Sequence, residues 1–193
     1  QRSRRAVVRL DRDPHPFDAL RPNALRLLLK RLADGGWLQR LERGAYLVTG
    51  PGRLAEHGRL AIAADWLEGE PYVVGGLSAL AHWKLTGDSP TTVDILLARR
   101  KPNVRQTNTL FRFIYVPEAE LPPARAVPVA GARALGRVAE PEHALIHVVA
   151  GRYATTITVA GEALRRGLRD RVIGRRRLIR ALRHAPTTAA RRL

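Results

Sequence analysis

Leucines recur at helical spacing early in the chain. Leu25, Leu28, Leu29 and Leu32 fall at i, i+3, i+4 and i+7, the stripe of one buried helix face. Pro22 sits where a first helical turn tolerates proline, and Asp34-Gly35-Gly36 stops the run, so the pattern predicts a helix over 22–33. Two short apolar runs follow, over 37–41 and 45–48, joined around Glu42-Arg43-Gly44; they predict a tight hairpin. Residues 7–10 read as a short strand ahead of Asp13-Pro14-His15-Pro16, where two prolines break the chain. Beyond a linker at 49–52, Leu60, Ala63, Ala64 and Leu67 predict a helix over about 54–67. Strands are predicted at 72–74, 93–98 and 111–116, with a short helix over 78–85, a polar loop at 100–103 and a further short strand around Val127 and Val129. Three helices close the chain, at about 141–150, 155–168 and 175–184. The expected class is α/β (α+β): an N-terminal winged helix-turn-helix over residues 1–50, then a mixed α/β domain over 51–193 with a helical C-terminal tail.

Charge changes the picture next. The 193 residues carry 34 Lys and Arg against 17 Asp and Glu, a net charge of +17, and all the basic residues but Lys30, Lys84 and Lys101 are arginine. Such an excess favours polyanions, with nucleic acid first and an acidic protein or an anionic membrane surface behind it. The absence of cysteine excludes disulfides, Cys-ligated zinc and thiol catalysis. No apolar run approaches the roughly 20 residues of a membrane helix. With no signal-peptide pattern either, the expectation is a cytoplasmic protein without a membrane partner.

Opposite the leucine stripe, Asn23, Arg26 and Lys30 lie at i, i+3 and i+7 and project together. Arginine and lysine pair with guanine edges or phosphate, and asparagine with adenine, so this is the side-chain set of a major-groove reader of double-stranded DNA. Arg21 at the helix start suits a phosphate, while Arg40 and Arg43 in the hairpin suit a wing on the backbone or in the minor groove. An amphipathic surface helix would explain Asn23, Arg26 and Lys30 by themselves; the hairpin and the basic arm at 2–5 favour DNA. A second basic region runs from Arg165 to Arg183, with Asp170 as its one acidic residue. There Leu178, Ile179 and Leu182 form a stripe expected to pack on the domain, leaving Arg175, Arg176, Arg180 and Arg183 exposed. These four could meet DNA phosphates, an acidic face of a protein partner, or water; charge alone does not separate the first two.

Three stretches carry a resemblance. Leu32-Ala33-Asp34-Gly35-Gly36-Trp37-Leu38-Gln39-Arg40-Leu41-Glu42-Arg43-Gly44-Ala45-Tyr46 resembles the signature that ends the winged-helix domain of the AbiEi antitoxin family. Tyr72-Val73-Val74-Gly75-Gly76-Leu77-Ser78-Ala79-Leu80-Ala81-His82-Trp83-Lys84-Leu85 is similar to the family's strand and short-helix element. Glu140-Pro141-Glu142-His143-Ala144-Leu145-Ile146-His147 resembles its Pro-Glu helix, with His147 where relatives often have Asp. The resemblance implies the antitoxin of an AbiE-type (type IV) toxin–antitoxin pair. Such a protein binds inverted repeats in its own promoter as an autorepressor and neutralises a cognate AbiEii-type nucleotidyltransferase toxin, in phage defence or plasmid maintenance. A stand-alone winged-helix transcriptional regulator and a degenerate nucleotidyltransferase are the rival readings.

The last rival has residues behind it. Val74-Gly75-Gly76-Leu77-Ser78 followed by Asp94 is the order in which nucleotidyltransferases place a triphosphate-holding turn and a metal-binding strand. That chemistry needs two carboxylates, usually Asp-x-Asp, and the strand reads Val93-Asp94-Ile95-Leu96, with leucine at the second position. Asp88 lies in a loop before Pro90. His143 and His147 share a helix face but lack the companion residues of a His-Glu-x-x-His site, and His15, His57 and His82 are scattered. No serine lies in a nucleophile-elbow pattern. The expectation is a binding protein with no catalytic residues, no cofactor and no metal.

Overall fold

The computed structural model describes residues 6–11, 19–50, 58–87, 90–106, 108–151, 156–183 and 185. The basic arm at 2–5, the break at 13–16, residues 54–57 of the second expected helix, His15, His57, Asp88 and His184 lie outside them. Among the described residues the architecture is mixed α/β, with six helices and two sheets. The elements in order are β1 (Val7–Arg9), α1 (Pro22–Asp34), β2 (Leu38–Glu42), β3 (Ala45–Val48), α2 (Arg59–Trp66), β4 (Tyr72–Gly75), α3 (Gly76–His82), β5 (Thr92–Leu97), β6 (Val104–Gln106) and β7 (Thr109–Tyr115). A 3₁₀ turn at Glu118–Glu120 precedes β8 (Ala124–Val127), β9 (Gly136–Ala139), α4 (Pro141–Ala150), α5 (Thr156–Arg169) and α6 (Arg175–Arg183).

The chain divides into two compact units, Gln1–Gly69 with Val127–Gly136, and Glu70–Ala126 with Arg137–Leu193. In the first, a three-stranded antiparallel sheet has the order β1-β3-β2, with α1 packed on β2 and α2 on β1. Leu29, Leu38, Leu41, Ala45 and Leu47 are buried. Leu38 and Leu41 are three apart, which strict alternation forbids. A register shift between Arg40 and Glu42 turns Leu41 inward and leaves Arg40 exposed. Gly44, with φ +79°, makes the hairpin turn.

The expected boundary at 50/51 moves to Gly69, for a physical reason. In α2 every residue from Ala61 to Trp66 is buried, including Asp65, only 4% exposed. Its carboxylate accepts three backbone N–H groups: Ala6 at 2.6 Å on Oδ2, and Arg133 and Ala134 at 2.9 and 3.0 Å on Oδ1. One buried acid thereby ties the chain start, α2 and the returning segment 127–136 into one body. The Trp66 indole donates to Glu42 Oε1 at 2.7 Å, closing α2 onto the hairpin strand.

The second unit is built on a six-stranded sheet of order β6-β7-β5-β4-β9-β8. β4 pairs antiparallel with β5 and parallel with β9, while β5 and β7 run parallel and β6 and β7 antiparallel. Every residue of β4 is buried, as are Val93–Leu97 of β5, and these two strands fill the middle of the sheet. α4 packs against β4, α3, α5 and α6. β6 and β9 had no counterpart among the expected strands, and the expected strand through Val127 and Val129 ends at Val127.

Candidate nucleic-acid interface

α1 has no side-chain cap; Pro22 opens it and the Arg21 carbonyl accepts Leu25 N–H at 2.9 Å. At its other end Gly35 N–H bonds to the Arg31 carbonyl, and Gly36, with φ +71°, turns the chain so that Trp37 N–H reaches the Leu32 carbonyl at 2.8 Å. This turn sends the chain directly into β2, so the hairpin is set beside the helix it follows.

Between α1 and the hairpin runs a groove of about 620 Å³. Arg26 and Lys30 line it from the helix, Arg40 and Arg43 from the hairpin, and Leu25 and Leu29 supply apolar wall. No acidic side chain lines it among the described residues. Arg26, Lys30, Arg40 and Arg43 are exposed. On β2, Arg40 Nε donates to the Glu42 carbonyl at 3.4 Å, and the Glu42 carboxylate accepts the Trp66 indole. Four of the six N-terminal residues singled out from sequence are therefore brought together. Arg21 and Asn23 are exposed on α1 but do not line the groove. Sequence reasoning missed Tyr46, which is half-buried and lines the groove from β3; its alternation with the buried Ala45 and Leu47 was the available signal.

The C-terminal arginines lie in the second unit. Arg175, Arg176, Arg180 and Arg183 are exposed on α6, as their spacing predicted. The apolar stripe needs correction: Ile179 is 57% exposed, and the helix packs through Ala181 with Leu178 and Leu182 against Ile146 and Ala150. α6 is also pinned by Glu142, 1% exposed, whose Oε1 accepts Gly174 N–H and Arg177 Nε, both at 2.8 Å. Arg177 is thus an anchor within an otherwise outward-facing basic helix.

The Gly-Gly-x-Ser element forms a tight strand-to-helix turn from β4 into α3. Its groups are engaged internally. The Ser78 hydroxyl donates to the Thr92 carbonyl at 2.8 Å. Asp94 lies opposite Gly75 on one side and opposite Arg112 of β7 on the other. Arg112 Nε donates to Asp94 Oδ1 at 2.6 Å. Leu96, at the second-carboxylate position, is buried. Among the described residues no group of three or more metal-binding side chains occurs, and no helix is long and apolar enough to cross a membrane.

No protein-family model matches the chain, and no curated protein matches it. Among solved structures it is similar to the crystal structure of the RV2827C protein from Mycobacterium tuberculosis, with a TM-score of 0.53 and 22% identity over 90% of this chain. The chain spans 64% of that protein's length. At this identity the likeness concerns the fold.

Proposed function

We propose that the protein is a double-stranded DNA-binding autorepressor and antitoxin that acts by binding and not by catalysis. The observation that carries the DNA-binding half is the α1–hairpin groove, where four exposed cations from two elements converge without an acidic neighbour lining the groove. Phosphate contacts from Arg40 and Arg43 would fix the register, and Arg26 and Lys30 would reach base edges or phosphate. The exposed arginines of α6 supply further phosphate contacts, or a face for an acidic protein. The antitoxin half rests on the resemblance of the three sequence stretches to the AbiEi family, which implies a nucleotidyltransferase toxin as protein partner. The internally engaged Ser78 and Asp94 support action without catalysis.

Gel-shift titration on the protein's own promoter tests the first half. Arg26→Ala and Lys30→Ala are each expected to weaken binding by about 1–3 kcal/mol. Unchanged affinity in both variants would sink the assignment of α1 as the reading helix. Co-expression with the cognate toxin tests the second half through growth rescue. Promoter binding without rescue would identify a stand-alone regulator. Nucleotide transfer abolished by Asp94→Ala would identify an enzyme.

A further inference from the structure

The DNA-binding reading of α1 uses its polar side chains and leaves an exposed apolar one without a role. Leu27 is 59% exposed, more than any other large hydrophobic side chain among the described residues. A lone exposed leucine is ordinary on a protein surface; its place on this helix is not. At roughly 100° per residue, Leu27 stands about 200° around the helix from Leu29, the one fully buried residue of α1. Leu27 therefore occupies the outermost ridge of α1, away from the sheet. Its neighbours there are Asn23 at i−4, Lys30 at i+3 and Arg31 at i+4, all exposed. Asn23, Leu27 and Arg31 do not line the α1–hairpin groove, which Arg26 and Lys30 border from the helix flank. Asp34, at the far end, is the only acidic residue of α1.

A helix laid in the major groove turns its outermost ridge to the base edges, while its flanks meet phosphate. On α1 the flank cations Arg26 and Lys30 share the groove with Arg40 and Arg43 of the hairpin, so a sugar-phosphate strand fits between the two elements. The base edges then face the ridge of Asn23, Leu27 and Arg31. Within the major groove, the apolar group that marks a base pair is the C5-methyl of thymine. Resting on the DNA-binding reading, we propose that Leu27 is a specificity-determining residue that reads a thymine methyl in the major groove. Cations alone would hold DNA of any sequence with little discrimination, because phosphate is the same at every step. An apolar contact on the ridge adds what they lack, a preference for one base.

The test uses the full chain and its own promoter duplex, with each thymine in the protected region replaced singly by deoxyuracil, which removes only the methyl group. Loss of one buried methyl contact is expected to weaken binding about fourfold at one of these positions. Leu27→Ala, exposed and so expected to melt with the unaltered protein, should bind the thymine and deoxyuracil duplexes equally at that position. Its slope of log affinity against log salt should stay unchanged, because no phosphate contact is lost. Leu27→Met, which keeps an apolar side chain of similar reach, should retain the preference. A thymine preference undiminished in Leu27→Ala, or absent from the unaltered protein, would overturn the proposal and leave DNA binding by α1 standing. Loss of growth rescue in Leu27→Ala with its thymine preference intact would assign the side chain to a protein partner and overturn the proposal likewise. An unaltered protein that does not bind the duplex at all would overturn the DNA-binding reading itself, and this inference with it.

Discussion

Gly76 and Gly44 both have positive φ, +58° and +79°, yet an added methyl group meets different surroundings. At Gly44 nothing lies within 4 Å of the Cβ position, so Gly44→Ala should cost only the left-handed backbone penalty, about 1–2 kcal/mol. At Gly76 the methyl also collides with Asp94, and Gly76→Ala should cost more, about 2–4 kcal/mol in total. Urea midpoints of the two variants check the ordering; equal losses would show that Asp94 yields freely. His147 adds a pH dependence at the same turn. Burial holds its imidazole below the usual histidine range; the nearby Asp94 charge opposes this and Arg112 reinforces it. The unfolded chain therefore takes up this proton more readily than the folded one, so stability is retained above the unfolded pKa of about 6.5 and lost as pH falls below it. His82, also held low by burial, contributes with the same sign. Replacing His147 by Gln should shrink the difference in urea midpoint between pH 7.5 and pH 5.5, and an undiminished difference would assign the effect elsewhere.

Between elements, the most informative contrast is on α6, whose outer arginines and inner anchor separate cleanly. Changing Arg175, Arg176, Arg180 and Arg183 to Gln leaves Ala181, Leu182 and the Arg177–Glu142 pair in place, so the melting temperature should hold. If these arginines meet DNA, the slope of log affinity against log salt should flatten by about 0.9 for each phosphate that is no longer neutralised, with sequence preference kept. If they meet the toxin, the slope stays and growth rescue falls. An unchanged slope with unchanged rescue would make the face a solvated one. α6 also shows what was legible in the sequence. Its limits, and those of α1 and α4, followed from helical spacing and from Pro and Gly punctuation, although α4 is buried on most of its surface and not along one stripe. Ile179 was assigned inward because a repeating pattern does not say how wide the buried stripe is; the small Ala181 packs there instead. β6 and β9 were not legible. Val104-Arg105-Gln106 and Gly136-Arg137-Val138-Ala139 are too short and polar to stand out, and they exist as strands because β7 and β4 offer them paired edges. At the candidate interface Arg26, Lys30, Arg40 and Arg43 were legible from local spacing. The self-engagement of Asp94 was not, since Arg112 is remote in sequence and reaches it only through strand register.

At the scale of the whole molecule, the chain runs from the first unit into the second after Gly69, returns at Val127, and leaves again after Gly136. Two of the three N–H groups that Asp65 accepts come from the returning segment. This has a consequence for how the protein is born. A ribosome emits residues 1–69, with α2 and its buried acid, long before Arg133 and Ala134 exist, and most of the central sheet strands emerge in between. Until then Asp65 Oδ1 has neither of its two native donors, and an unsatisfied buried polar group costs about 1–3 kcal/mol. The N-terminal unit is therefore expected to mature late, against the usual order in which domains fold during synthesis. It waits for a strap translated after residue 126. Nascent chains stalled with residue 126 as the last to emerge should be cut by protease within residues 1–69, and chains stalled with residue 140 clear of the ribosome should resist. Protection already complete at residue 126 would show that the acid needs no strap.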